Sequence, residues 1–425
     1  MSANRTSDVS SPAVTTPEFL PDAGWIETPP VSTVLEALNR GGVETRLVGG
    51  AVRDALIGRP QGDVDCATTG STDEITALAD AAGLKAVPTG VAHGTVTVVA
   101  DGQPFEVTTL RHDVETHGRH ATVAFGAGWE EDARRRDFTM NALYAGPDGR
   151  LYDPVGGYPD LLARRVRFIG NPTARIREDF LRILRFFRFH AQFSEGPPDA
   201  EGLDASIRER RGLLGLSGER LQQETVRLLK APGAVATARI MADCGILGIV
   251  TGGVSYLPAF ARLVANEAAA DRPPDPVLRL AALAVWTPED AERLWTRLRL
   301  SNAAHKRLAS AASGWWHVGP YLSDSSRKEL LYRLGDQAYR DRVALAWARS
   351  AAGPENPDWR ALVDLPDTWR KPVFPVKGAD LLKAGVPAGP EVGRLLAALE
   401  AAWIADGFSS DRDALLSRAE LLKDV

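Results

Sequence analysis

Apolar positions in the first part of the chain switch between two periods. Val31, Val34, Leu35 and Leu38 recur at helical spacing and stop at Gly41-Gly42, which predicts a helix and its end. Short β-type runs follow at 46–48, 63–68, 94–100, 105–110 and 165–169, with a helical stretch over 72–82 between them. Past Gly170 the β signal disappears. Asn171-Pro172 supplies the N-cap and first-turn pair of a helix expected to run through Phe189, and Ser217 and Thr287 open two more. Residues 1–24 are rich in Ser, Thr, Pro and Ala without a period, and read as a disordered leader. The pattern predicts an α+β head over 25–170, followed by helices to the end of the chain.

Composition narrows the class. With 44% hydrophobic and 25% charged residues the 425-residue chain reads as globular, and no apolar run approaches the roughly 18–20 residues of a membrane span. The first two dozen residues lack the pattern of a secretory signal, so the cytoplasm is the expected location. Two cysteines, Cys66 and Cys244, exclude a disulfide scaffold and a Cys-based structural zinc site. The sequence carries no signal for an oligomeric state. A net charge of −5 argues against a nucleic-acid partner, yet the charge is uneven. Residues 131–190 hold twelve Arg, no Lys and eight acids, a balance of +4 against −9 for the rest. Arginine concentrated in one band suits bidentate contact with phosphates and bases.

The richest segment is Leu47-Val48-Gly49-Gly50-Ala51-Val52-Arg53-Asp54, followed by Asp63-Val64-Asp65. A strand running into Gly49-Gly50 and then a helix makes a turn whose N–H groups face a phosphate and whose missing side chains let it approach. The strand period of two puts Asp63 and Asp65 on one face, where two carboxylates repel unless a divalent cation neutralises them. Arg182, Arg185 and Arg188 recur every three residues and form a ridge on their helix, with Asp179 one turn earlier and Leu181, Leu184 and Phe187 on the buried side. A carboxylate and a guanidinium side by side offer acceptor and donors to a base edge.

Together these residues resemble the signature of the class II tRNA nucleotidyltransferase and bacterial poly(A) polymerase family, within the polymerase-β nucleotidyltransferase superfamily. Arg135-Arg136-Asp137 through Leu143 looks like the family's ribose-reading motif, and Glu178-Asp179 through Phe189 like its base-reading helix. Tyr152-Asp153-Pro154, Gly156-Gly157, Leu216-Ser217-Gly218-Glu219-Arg220 and Asp243-Cys244-Gly245-Ile246-Leu247 match further elements in order, so the likeness covers about residues 45–250.

The resemblance implies a nucleotidyltransferase head with a small mixed sheet, a helical neck over 171–255 carrying the base-reading helix, and an elongated helical body and tail over 256–425 that bind tRNA. It implies transfer of C, C and A from CTP and ATP to the tRNA 3′ end, next to the acceptor stem, with release of pyrophosphate. Asp63 and Asp65 would hold two Mg²⁺ ions, and Glu106 would stand as a third catalytic carboxylate. Gly49, Gly50 and Arg53 would bind the nucleotide's phosphates, Arg136 would contact the incoming nucleotide, and Asp137 would accept its ribose 2′-OH. Glu178, Asp179, Arg182, Arg185 and Arg188 would complete the nucleotide site, with Asp179 and Arg182 choosing the base. Residues 112–130 read as a loop that moves during catalysis. Trp286, Trp295, Trp315 and Trp316 read as core rather than as a surface for RNA bases.

Poly(A) addition would use the same head residues. A processive poly(A) enzyme is expected to hold RNA through basic extensions, whereas residues 401–425 carry three basic residues against five acids. CCA addition is therefore favoured over poly(A) addition, and an RNA-binding protein with a dead head is the remote third reading.

Overall fold

The computed structural model describes residues 15–90, 93–117 and 120–421. It divides into two compact units, one reaching to Val250 and one running from Thr251. Residues 1–14, most of the expected leader, lie outside the described residues. The remainder of that segment is not disordered: Leu20 is buried, its N–H donates to Gly149 O at 2.8 Å, and Thr16 donates to Asp153 at 3.2 Å. A single apolar residue that finds a pocket is below the resolution of a compositional reading.

In the first unit, helix α1 (Val31–Leu38) buries Val31, Val34, Leu35 and Leu38, as their spacing requires. A seven-stranded sheet follows, built from β1 (Thr45–Val48), β2 (Asp65–Thr68), β3 (Lys85–Gly90), β4 (Thr95–Ala100) and β5 (Gln103–Thr109), with β8 (Tyr144–Ala145) and β9 (Leu151–Tyr152). Its order is β3-β4-β5-β2-β1-β8-β9, antiparallel except for the parallel pair of β2 and β5. Between β1 and β2 lies α2 (Gly50–Leu56), and α3 (Thr72–Ala81) opens on a Ser71–Glu74 capping box. Helices α1 and α3 pack on each other and on the sheet.

Two strand expectations are corrected. Strands β6 (Arg111–His117) and β7 (His120–Phe125) pair antiparallel in a separate two-stranded sheet, where the sequence suggested a loop. Their charged and histidine-rich composition hid the alternation. Residues 165–169 form no strand. Phe168 makes one isolated bridge to Phe138, and Ile169 N–H donates to Asp137 O.

The predicted long helix from Asn171 is also corrected, into two. Helix α4 (Trp129–Arg135) and α5 (Gly157–Leu162) precede α6 (Pro172–Glu178), which stops at Asp179 in an extended conformation, and α7 (Leu181–Phe193) begins two residues later. Asp179 Oδ1 accepts the Leu181 N–H at 3.1 Å, a local bond that competes with a continuous helix. Phe180 is drawn aside onto Gly212, where any Cβ would collide with its ring.

Helix α7 is wedged against the head by aromatic packing. Phe138 meets Phe168 at 4.8 Å and Phe189 at 5.3 Å between ring centroids, and Phe168 stacks on Phe186 at 5.6 Å. The unit is completed by α8 (Ala200–Glu209), α9 (Gly218–Lys230), α10 (Ala234–Asp243) and α11 (Ile246–Thr251), with α9 and α10 packed on α7.

Among the described residues the second unit holds ten α-helices, from α12 (Leu257–Ala269) to α21 (Arg412–Leu421). One core is centred on Tyr339, Trp347 and Trp359, and another on Leu381, Leu399 and Trp403. Against expectation, Trp286 and Trp316 are not core: they are 38% and 56% exposed. Among the described residues no helix is long and apolar enough to cross a membrane.

Candidate active site

A cavity of about 910 Å³ opens in the first unit and gathers most of the chemically marked residues. Gly49, Gly50, Arg53, Asp63, Asp65, Arg136, Asp137, Asp179, Arg182, Arg185 and Arg188 all line it. So do Arg220, Arg227 and Lys230, which gives the wall a positive excess suited to an anion. Glu106 and Glu178 are not among the lining residues.

The acidic corner comes from the edge of β2. Val64 and Cys66 are buried, while Asp63 and Asp65 take the other side of the chain. Asp65 pairs with Glu106 across the parallel strands and with Val48 on the other flank. Burial, reinforced by the Glu106 and Asp63 charges and only partly offset by Arg136, pushes the Asp65 carboxyl up to about 6. This is a carboxylate group short of positive charge. Among the described residues no three His, Cys, Asp or Glu side chains form a ready cage for a metal. Hard cations such as Mg²⁺ fit two carboxylates whose remaining ligands come from water and substrate phosphates, so the donor set suits such an ion.

The glycine turn differs in detail from its expected role. Gly49 has φ 73° and ψ −119°, a backbone open only to glycine at low cost, but its N–H is committed to Leu143 O at 3.1 Å. The turn therefore offers space more than a donor at that position. Arg53 is buried, bonded to Asn141 Oδ1 at 2.7 Å and to Asp54 at 2.9 Å, and burial lowers its pKa.

Arg136 and Asp137 are held from opposite directions. Asp132 and Tyr144, both buried, grip Arg136: its Nε donates to Tyr144 Oη at 3.1 Å and its Nη2 to Asp132 at 3.0 Å. Asp137 Oδ1 accepts from Phe138 N–H at 2.9 Å and Asn141 Nδ2 at 3.1 Å, and Oδ2 accepts from Arg185 Nε at 2.7 Å. Burial alone would raise this carboxyl, but Arg185 and the other donors hold it down at about 2. Arg185 Nη2 lies 2.6 Å from the same Oδ2, so the roughly four acceptor sites of the carboxylate are all engaged, and a further donor would share or displace one of these. Asp137→Ala is expected to cut the preference for a ribonucleotide over its deoxy form by about tenfold or more, measured as a ratio of kcat/KM values.

At the other end, the Arg182 N–H donates to Asp179 O at 3.0 Å, but the two side chains take other partners. Arg220 Nη2 donates to Asp179 Oδ2 at 2.7 Å. Arg182 Nη1 donates to Arg175 O at 2.8 Å and to Glu178, which also takes Arg175. Glu178 thus steadies the arginine from outside the cavity. Both of these bonds use Nη1, so Nε and Nη2 of Arg182 can serve a ligand.

Glu224 was not singled out by sequence, and Arg220 was read only as part of a neck motif with no role at the site, although the i, i+4 spacing of the two on α9 was visible. Glu224, buried, accepts from Arg188 Nε at 2.5 Å and lies 3.8 Å from Arg185. Removing it leaves a buried guanidinium unpaired, so Glu224→Ala is expected to cost about 3 kcal/mol in denaturant unfolding. Arg134 lies at the surface, paired with Glu130 at 2.7 Å.

Residues 45–167 match the family model described as the Poly A polymerase head domain. The chain is similar to the Mus musculus protein named CCA tRNA nucleotidyltransferase 1, mitochondrial, with 33% identity over 412 residues covering 93% of this chain and 91% of that relative. It is similar to the CCA-adding enzyme of Latilactobacillus sakei, with 30% identity covering 91% and 96% of the two chains. Among solved structures, the Bacillus stearothermophilus CCA-adding enzyme in complex with CTP superposes with a TM-score of 0.76 at 27% identity, covering 93% of this chain and 98% of that one.

Proposed function

The chain belongs to the class II CCA-adding tRNA nucleotidyltransferase family, and from that premise we propose that its head cavity joins CTP and ATP to the 3′ end of tRNA. The protein is a nucleotidyltransferase that adds C, C and A, with tRNA, CTP and ATP as its partners. What carries the assignment of the site is one cavity that holds paired carboxylates, a glycine turn and two acid–arginine pairs together. The 3′-hydroxyl oxygen attacks the α-phosphorus of the nucleotide; that P–O bond forms as the bond to the bridging oxygen breaks, and pyrophosphate leaves.

Asp63 and Asp65 would hold divalent ions, which we take to be Mg²⁺. Bound there, such ions lower the pKa of the attacking hydroxyl and neutralise the triphosphate. Glu106 would raise the negative potential at Asp65 from the neighbouring strand. Arg136, fixed by Asp132 and Tyr144, would bind the triphosphate, and Gly49-Gly50 would let it lie against the backbone, with Arg53 bracing the turn through Asn141. Asp137 would accept the ribose 2′-OH. Asp179, anchored by Arg220, and Arg182, anchored by Glu178, would present an acceptor and donors to the base edge, with Arg185 and Arg188 binding the nucleotide beside them. The helices from residue 256 onward would hold the tRNA. We place the reaction in the cytoplasm.

The test is to incubate the protein and Mg²⁺ with tRNA lacking its last three nucleotides, CTP and ATP, and to sequence the products. Ordered addition of C, C and A is expected. A run of A would overturn the reading in favour of poly(A) addition.

A further inference from the structure

The two tryptophans that stand outside the core belong to one exposed ridge in the second unit. Tyr256 contacts Trp286 at 5.0 Å between ring centroids, Trp286 contacts Trp315 at 4.9 Å, and Trp315 contacts Trp316 at 5.8 Å. Tyr321, 70% exposed, extends the ridge: its hydroxyl donates to Trp316 O at 3.2 Å, and its ring lies over Gly319, where any Cβ would meet it. Large rings held in place yet left in water mark a surface that a partner covers.

The charge around the ridge says which partner. Arg349 donates to Val285 O and sits 4.6 Å from the rings of both Trp286 and Trp315. Arg342, beside Gly314, donates to Ser310 O at 3.2 Å, and Arg327 donates to Pro320 O at 2.6 Å. All three bond backbone carbonyls, so within the described contacts their charge meets no carboxylate at bonding distance. Asp290 acts on Arg349 only from afar, being bonded to Arg293 at 2.5 Å. Elsewhere in this unit arginines meet acids directly, as Arg307 does with Asp275 and Asp341. Rings without a cover and guanidinium groups without a counter-charge complement a polyanion carrying unstacked bases; an apolar protein face would leave those charges unanswered.

We propose that Trp316 and Tyr321 form a stacking platform for an unpaired base of the tRNA, with Arg327 and Arg342 facing the adjoining phosphates, while Arg349, whose Nε and Nη1 are buried, braces Trp286 and Trp315. The platform rests on the tRNA reading above and adds a place and a mode to it.

The experiment is equilibrium retention of tRNA lacking its CCA end, at fixed salt, by wild type, Trp316→Ala, Trp316→Phe and Tyr321→Ala. Trp316→Ala is expected to raise Kd about tenfold, and Trp316→Phe, which keeps a ring, to stay within about twofold of wild type. The KM for CTP at saturating tRNA is expected to be unchanged in each. Tyr321→Ala, at the more exposed ring, is expected to weaken binding several-fold and keeps the test standing should Trp316→Ala misfold. A Kd unchanged in both alanine variants overturns the platform, as does a Trp316→Phe as weak as Trp316→Ala. Loss of self-association with Kd unchanged would assign the ridge to a contact between copies and likewise overturn it. A wild type that neither retains nor extends tRNA would bring down the tRNA reading itself, an outcome distinct from the others.

Discussion

Asp65→Asn is expected to reduce nucleotide incorporation by about 10³-fold or more, while the folded protein loses no stability. The two halves of this expectation come from the same crowding. Asp65 sits between Asp63 and Glu106, partly buried, and its carboxyl is pushed up to about 6 because its charge is unwelcome there. A neutral amide of the same shape relieves that repulsion and removes the charge a divalent ion needs. Thermal unfolding separates the causes. Added Mg²⁺ is expected to raise the Tm of the wild type by binding the folded form, and to do so much less in Asp65→Asn. A variant that keeps near-normal incorporation, or whose Tm responds to Mg²⁺ as the wild type does, would sink the assignment of this carboxylate pair.

The second large effect concerns the choice of base. Asp179→Ala is expected to lower the preference for CTP over UTP by about 10²-fold, read as the ratio of kcat/KM values. Asp179 lies at the break between α6 and α7 and is bonded to Arg220, so its removal takes away an acceptor and frees a guanidinium at the same point. Arg220→Ala should keep the acceptor but lose its anchor. Its expected result is a smaller loss of preference, about tenfold, with a rise in misincorporation of all bases alike. Equal preference for CTP over UTP in wild type and Asp179→Ala would show that the base is read elsewhere.

Much of the site was legible because its chemistry is local in sequence. The alternation of Asp63, Val64 and Asp65 is a property of three consecutive residues, and the cavity wall follows it. The Gly49 turn and the Arg ridge of α7 were visible for the same reason. What escaped was set by contacts between distant parts of the chain. Asp132 and Tyr144 grip Arg136 from a helix and a strand whose own sequences carry no mark of it. Arg220 reaches Asp179 across 41 positions, and Glu224 reaches Arg188 across 36. The break at Asp179 was hidden because helical spacing persists through Phe180, and only the room left by Gly212 shows where that ring goes. The pairing of β6 with β7 was missed because polar β-strands lack the apolar signal that marks a strand.

Phe138 has one more effect. It follows Asp137 directly, so one peptide unit separates the carboxylate in the cavity from a ring that is wholly buried against Phe168 and Phe189. No backbone shift can retune the Asp137 carboxylate without also disturbing that packing, and close-packed rings do not yield by fractions of an ångström. Changes in nucleotide choice must then arise at the tips of side chains, one discrete replacement at a time, rather than by gradual drift of the chain. A selection for variants that accept deoxynucleotides should accordingly return substitutions at Asp137, Asn141 or Arg185, and leave Phe138, Phe168 and Phe189 untouched.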